Sequence, residues 1–212
     1  MRKLIWILCA AVTFCCASAA DEGHHHEEIT AAQLGTVHFP TSCAAGVQKS
    51  FERGVALLHS FWYEEAEKQF EAVAKDDSSC AIAHWGVAMS YFHQIWSRPN
   101  ESDNAEGWAE MQKAQSPAAK TARERAYIAA LSDFYRPEKQ EFAERVQAYS
   151  DAMGKLYAQY PGDVDAGAFY ALSLLAAAPP NDTSLAAERK AMAVLTPQIG
   201  RASCKERVSS PV

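Results

Sequence analysis

The run Phe51-Glu52-Arg53-Gly54-Val55-Ala56-Leu57-Leu58-His59-Ser60-Phe61-Trp62-Tyr63-Glu64-Glu65-Ala66-Glu67-Lys68-Gln69-Phe70-Glu71-Ala72-Val73-Ala74-Lys75-Asp76-Asp77 decides the fold. In its first half Phe51, Gly54, Val55, Leu58 and Trp62 recur at spacings of three and four, which places them on one face of a helix. In its second half Tyr63, Ala66, Phe70 and Val73 make another apolar stripe, with almost no loop between the two. A single hairpin cannot shelter both stripes from water, so further hairpins must stack on this one. Gly54 is unfavourable inside a helix on propensity alone, and a neighbouring backbone is expected to pack closely there.

Outward from this hairpin the pattern continues. Cys80-Ala81-Ile82-Ala83-His84-Trp85-Gly86-Val87-Ala88 opens another apolar helix, followed by Tyr91 and Phe92. Ser97 to Asn104, with Pro99, reads as a polar loop before the helix resumes at Ala105 with Trp108 and Met111. Thr121-Ala122-Arg123-Glu124 has the form of a capping box ahead of Tyr127, Leu131 and Phe134. The stripe Phe142, Val146, Tyr149, Met153, Leu156 and Tyr160 is stopped by Pro161-Gly162. A further helix with Phe169, Tyr170 and Leu174 ends before Pro179-Pro180. The last, capped by Asp182 or Thr183, is expected to stop at Pro197.

These residues resemble a known repeat. Gly54, Leu57, Tyr63-Glu64-Glu65-Ala66, Phe70, Val73 and Asp77 match one tetratricopeptide (TPR) unit, and Ala88 and Tyr91 follow Gly54 and Leu57 at its period of about 34 residues. Ser78 stands where that motif usually has proline. The runs Leu34-Gly35-Thr36-Val37-His38-Phe39-Pro40-Thr41-Ser42-Cys43, Leu57-Leu58-His59-Ser60-Phe61, Ala83-His84-Trp85-Gly86 and Phe169-Tyr170-Ala171-Leu172 are similar to a group of exported bacterial TPR proteins. The resemblance implies an all-α, TPR-like solenoid of about four antiparallel helix pairs over 43–198, with the last pair uncapped. It also implies a scaffold that binds a protein or peptide partner in a concave groove lined by the first helix of each pair.

The ends read differently. Arg2 and Lys3, the apolar run from Leu4 to Cys16 and the small residues Ala17-Ser18-Ala19-Ala20 form a secretory signal over 1–20, which places the mature chain in the periplasm or outside the cell. A polar lead-in, partly disordered, is expected over 21–42, with Thr41 or Ser42 capping the first helix. The tail Ile199-Gly200-Arg201-Ala202-Ser203-Cys204-Lys205-Glu206-Arg207-Val208 resembles translated sequencing adapter. On that reading 199–212 is an artefact and the natural chain continues past Gln198.

Composition excludes some functions. The formal net charge is −6, and more negative once the basic residues of both ends are set aside. An acidic chain without a basic stripe is a poor partner for nucleic acid, and no stable membrane span is expected after signal cleavage. Cys43 and Cys80, at equivalent points of adjacent repeats in an oxidising setting, are either disulfide-bonded or two buried thiols.

No cofactor is expected. The rival to a binding scaffold is a metal-dependent hydrolase or metal-binding protein. It would use His59, His84 and His93, with the flexible His24-His25-His26 as a weaker ligand source, completed by residues beyond Gln198. His84 and His93 fall on opposite sides of a helix, and a histidine among aromatics more often packs than ligates. Tyr63, Trp85, Trp96, Trp108 and Tyr127 are aromatics that either line a groove or fill the core.

Overall fold

A computed structural model describes residues 34–115, 119, 121–137 and 141–208, with side chains to residue 198. The signal-like segment, His24-His25-His26 and residues 209–212 lie outside the described residues. Among those described there are eight α-helices and no strand. They are α1 Gln48–His59, α2 Tyr63–Asp76, α3 Ala81–Tyr91, α4 Glu101–Ala114, α5 Ala122–Tyr135, α6 Phe142–Gln159, α7 Val164–Ala176 and α8 Ala186–Val208. Each helix packs on the next in sequence, and α3 also touches α1 and α5. No helix among the described residues is long and apolar enough to cross a membrane.

Small residues set how closely the helices approach. Phe70 of α2 is fully buried, and its ring occupies the space that a Cβ at Gly54 of α1 or at Gly86 of α3 would need. Gly54 therefore admits a ring rather than a neighbouring backbone. The device recurs one layer on, where Tyr135 of α5 fills the space beside Gly107 of α4. Its hydroxyl donates to the Ala88 carbonyl of α3 at 2.8 Å. A buried Tyr keeps such a partner because an unmade hydrogen bond in the core is costly.

The space among α1, α3 and α5 is filled by the lead-in. Phe39, from the extended lead-in, is fully buried against Phe51 of α1, Trp85 of α3 and Tyr127 of α5, with ring centroids 5.3, 5.8 and 5.0 Å away. Burying such a ring stabilises by roughly 1.5–3 kcal/mol. The backbone on either side is pinned by side chains. Glu52 accepts from the Phe39 amide, Gln48 Nε2 donates to the Phe39 carbonyl, and Arg123 donates to the Pro40 carbonyl. Arg123 lies 4.0 Å over the Phe39 ring and pairs with Asp163 at 2.6 Å. Burial alone would lower the Arg123 pKa, but the bond to Asp163 and the nearby Tyr127, Asp163 and Asp165 together outweigh it and raise the pKa.

Cys43 and Cys80 form a disulfide, with Cα atoms 4.8 Å apart. It joins the lead-in to the residue just before α3.

Several local expectations differ from what the structure contains. Neither Thr41 nor Ser42 caps α1. Thr41 bonds Gln48, Ser42 bonds Glu124, and the chain enters α1 through a 3-10 turn at Ala45–Val47. Glu124 is thus drawn away from the capping box; the Thr121 hydroxyl alone caps α5, accepting from the Glu124 amide. Trp62 lies beyond the end of α1 and is exposed, not part of the buried stripe. α4 begins at Glu101, inside the supposed loop, because Asn100 and Asp103 form a reciprocal capping box. α8 starts from a turn in which Asp182 accepts from the Ser184 amide. It then runs through Pro197 to Val208, since a proline removes one helical hydrogen bond without obliging the helix to stop.

Candidate functional site

An apolar cavity of about 200 Å³ lies beside the C-terminal end of α1. Its walls come from the end of α1 (Leu58, His59), the turn after it (Phe61), the first residue of α2 (Tyr63), the end of α3 (Met89) and the turn beyond (Gln94), α7 (Phe169, Leu172, Leu175) and α8 (Ala191, Leu195).

Each wall is positioned by a local device. The turn after α1 is a Schellman motif, in which the Trp62 amide donates to the Leu57 carbonyl and the Phe61 amide to the Leu58 carbonyl. That geometry requires a left-handed residue after the helix cap, normally glycine, yet Phe61 occupies it at φ 60°. The penalty for an L-residue there is roughly 1–2 kcal/mol. The Phe61 ring is 40% exposed and meets Trp96 edge-on at 5.6 Å. Trp96 is itself 65% exposed. The chain leaves α3 in a turn in which His93 bonds both the Ser90 carbonyl and the Ser97 hydroxyl. The His93 ring stacks on Tyr63 at 4.2 Å.

On the α7 side, Asp163 caps the helix by accepting from the Ala166 amide while receiving Arg123 and Tyr127 on its other oxygen. Asp165, in the first turn, pairs with His59 Nε2 at 2.9 Å, and Phe169 stacks on the His59 ring at 4.7 Å. These two contacts bridge α1 to α7, and the cavity lies beside them.

Among the described side chains, four buried polar atoms lack a hydrogen-bond partner: Tyr63 Oη, Trp85 Nε1, Gln94 Oε1 and Gln198 Oε1. Each such orphan costs about 1–3 kcal/mol. Two of them, on Tyr63 and Gln94, belong to residues that line the cavity. Burial pushes the Tyr63 hydroxyl up to about 12, so it stays protonated and able to donate or accept at neutral pH.

A larger groove, about 600 Å³, lies between α4 and α5. Its polar groups are already engaged: Gln115 with Ser132, Arg136 with Asp133, and Arg125 with the Ala119 carbonyl. The smaller cavity has the more apolar walls.

The residues singled out from sequence are distributed as follows. The repeat positions Gly54, Leu57, Ala66, Phe70 and Ala88 are buried, while Tyr91 is half-buried and donates to Glu67 at 2.6 Å. Tyr63 instead faces the cavity. His59, His84 and His93 are not brought together. His59 pairs with Asp165, His84 with Glu110 at 2.7 Å, and His93 with Ser90 and Ser97. The one ligand-type cluster of three among the described residues is Cys43, Asp77 and Cys80. There the sulfurs are spent in the disulfide and Asp77 accepts from Ala44 and Ser79. Of the aromatics, Trp85 and Tyr127 are core and Trp96 is surface. Gln94 was not legible as a site residue, because a lone glutamine after a helix carries no spacing signal. The His59–Asp165 contact joins α1 to α7, and no local pattern encodes it.

The His59–Asp165 pair has no hydroxyl or thiol hydrogen-bonded to His59 among the described residues. Comparison with protein-family models, with curated proteins and with solved structures finds no match to this chain.

Proposed function

We propose that this protein is an exported, TPR-like binding module that captures a polypeptide partner at one end of its inner face. The helix pairs stacked in chain order, and the glycine-bordered seat of Phe70, support the TPR-like reading. The Cys43–Cys80 disulfide supports export, since such bonds persist in oxidising compartments.

The observation that carries the reading is the contrast between the two ends of the inner face. One end is filled by the chain's own Phe39, and the other keeps an apolar cavity rimmed by exposed rings. A partner side chain entering that cavity gains apolar burial at about 25 cal/mol per Å² and meets walls that are already formed. The metal reading gains no comparable support from the arrangement of the histidines.

The test is selection of a displayed random-peptide library on the purified chain. Peptides so obtained should lose binding to Leu172→Trp, which fills the cavity, while its thermal midpoint stays within a few degrees of the parent. Selected peptides that bind both proteins equally would place recognition elsewhere and end this reading.

A further inference from the structure

We propose that Cys43, Asp77 and Cys80 form a redox-gated zinc site. With the disulfide reduced, the two sulfurs and the Asp77 carboxylate hold one Zn²⁺, and water completes the coordination. None of the three residues lines either cavity, so the site is separate from the binding reading above.

The ligand atoms are already gathered. Both sulfurs and a carboxylate oxygen of Asp77 lie within 4.8 Å of one another. Tetrahedral zinc, bonded at roughly 2.3 Å to sulfur and 2.0–2.2 Å to oxygen, wants its ligand atoms roughly 3.5–3.8 Å apart. The Cα atoms of Cys43 and Cys80 are 4.8 Å apart, so rotation of the two side chains parts the sulfurs to that spacing.

One turn fixes two of the three ligands. Asp77 follows α2 and Cys80 precedes α3, and the Cys80 amide donates to the Asp77 carbonyl between them. Asp-x-x-Cys repeats the two-residue gap of Cys-x-x-Cys zinc turns. The carboxylate is oriented by its own bonds. Oδ1 accepts from the Ser79 amide and hydroxyl, and Oδ2 accepts from the Ala44 amide, next to Cys43. Such bonds hold a metal-ligating carboxylate in position. Donor chemistry then selects the metal. Two thiolates disfavour Ca²⁺ and Mg²⁺, which take oxygen, and the carboxylate beside them favours Zn²⁺ over Cu⁺.

Opening the site takes two electrons, supplied by a dithiol. Its thiolate attacks the sulfur of Cys43, which is half-buried where Cys80 is fully buried, and Cys80 leaves and takes up a proton. The second sulfur of the reductant then displaces Cys43, leaving a disulfide on the reductant and a thiol on each cysteine. Zinc binds both sulfurs as thiolates and releases two protons. The lead-in is thus tied to the start of α3 in either state, by a covalent bond or by the metal.

The experiment uses the full chain in metal-free buffer, reduced by a phosphine. The phosphine takes oxygen from water to become its oxide and carries no thiol to compete for metal. Zn²⁺ affinity is read by competition with a chromophoric indicator. Reduced parent should bind one ion at least thirtyfold more tightly than oxidised parent or than Cys43→Ser with Cys80→Ser. Both controls keep His24-His25-His26, so weak binding there cancels. Asp77→Asn should weaken binding to the reduced chain at least fivefold. Metals also bind cysteines of unfolded chains, so the thermal midpoint is read as well. Zn²⁺ should raise it for reduced parent and leave oxidised parent and the double variant unmoved. Co²⁺ in place of zinc should give a charge-transfer band of two-thiolate intensity at one ion per chain. Equal affinity of reduced and oxidised parent, an unmoved midpoint, or no such band would each overturn the proposal. Asp77→Asn that folds by circular dichroism and binds as tightly as parent would overturn it too. If Asp77→Asn does not fold, the reduced parent's affinity, midpoint and cobalt spectrum decide.

Discussion

At Gly86 a Cβ would stand 2.3–2.6 Å from three atoms of the Phe70 ring, and at Gly54 2.7–3.0 Å from three atoms of the same ring. One phenylalanine thus dictates a glycine on the helix before it and on the helix after it. Gly86→Ala should lower stability by about 1–3 kcal/mol through overpacking, even though alanine is the better helix former by about 1 kcal/mol. Chemical denaturation measures this directly. Gly46→Ala, where a Cβ meets nothing within 4 Å, is the neutral control. Phe70→Leu added to Gly86→Ala should recover part of the loss, because the smaller side chain vacates the contested space. If Gly86→Ala is as stable as the parent, the ring is not pinned as described. The spacing of Gly54, Ala66 and Phe70 was legible in the sequence because it is periodic. The partner of each glycine was not: a ring arriving from another helix leaves no mark on local spacing. Phe39 shows the same limit, since a lone phenylalanine before a proline reads as a loop residue until the three helices around it are in place.

Among the elements, the turn between α1 and α2 combines structural cost with exposure. A phenylalanine in the left-handed position of a Schellman motif is destabilising, and its ring gains little burial in return. Strain kept at an exposed position is a reason to look for function there. Phe61→Gly should therefore hold or raise stability, by up to about 1 kcal/mol once the lost contact with Trp96 is counted against the relieved backbone. The same variant should weaken cavity-dependent peptides at least fivefold. A thermal melt and a binding titration on one sample give both values, and a drop in stability with unchanged binding would refute this account. Other element boundaries show why the helices were readable and their ends less so. Apolar periodicity reports the middle of α4 but not its start, where Asn100 and Asp103 make the cap in place of the commoner Ser or Thr with Glu. Pro197 is a stop signal by type, yet the helix on both sides of it is continuous. Glu124 has the right spacing for a capping box and spends its carboxylate on Ser42 of the lead-in, a choice set by tertiary structure.

For the whole molecule, the space among α1, α3, α5 and α7 has two ends, and the lead-in decides which remains available. Phe39 fills one end, Arg123 and Glu124 hold the backbone around it, and the disulfide ties that backbone to the start of α3. The cross-link restrains a loop of 37 residues that includes the whole α1–α2 hairpin, so it constrains the unfolded chain as well as the lead-in. On loop-entropy grounds, Cys43→Ser with Cys80→Ser should cost about 2–5 kcal/mol. Reductant should bring the parent down to the same midpoint while leaving the double variant unmoved. Peptide mapping of the oxidised chain should recover the segments around Cys43 and Cys80 as one linked species. The hydrogen-bonded lead-in amide at Phe39 should also lose hydrogen-exchange protection before the amides inside α5, because Phe39 depends on the tether and α5 does not. Equal protection at both places in the reduced protein would mean that ring packing alone holds the lead-in in position. A double variant as stable as the parent would mean that the covalent tie adds nothing to the seat Phe39 already has among Phe51, Trp85 and Tyr127.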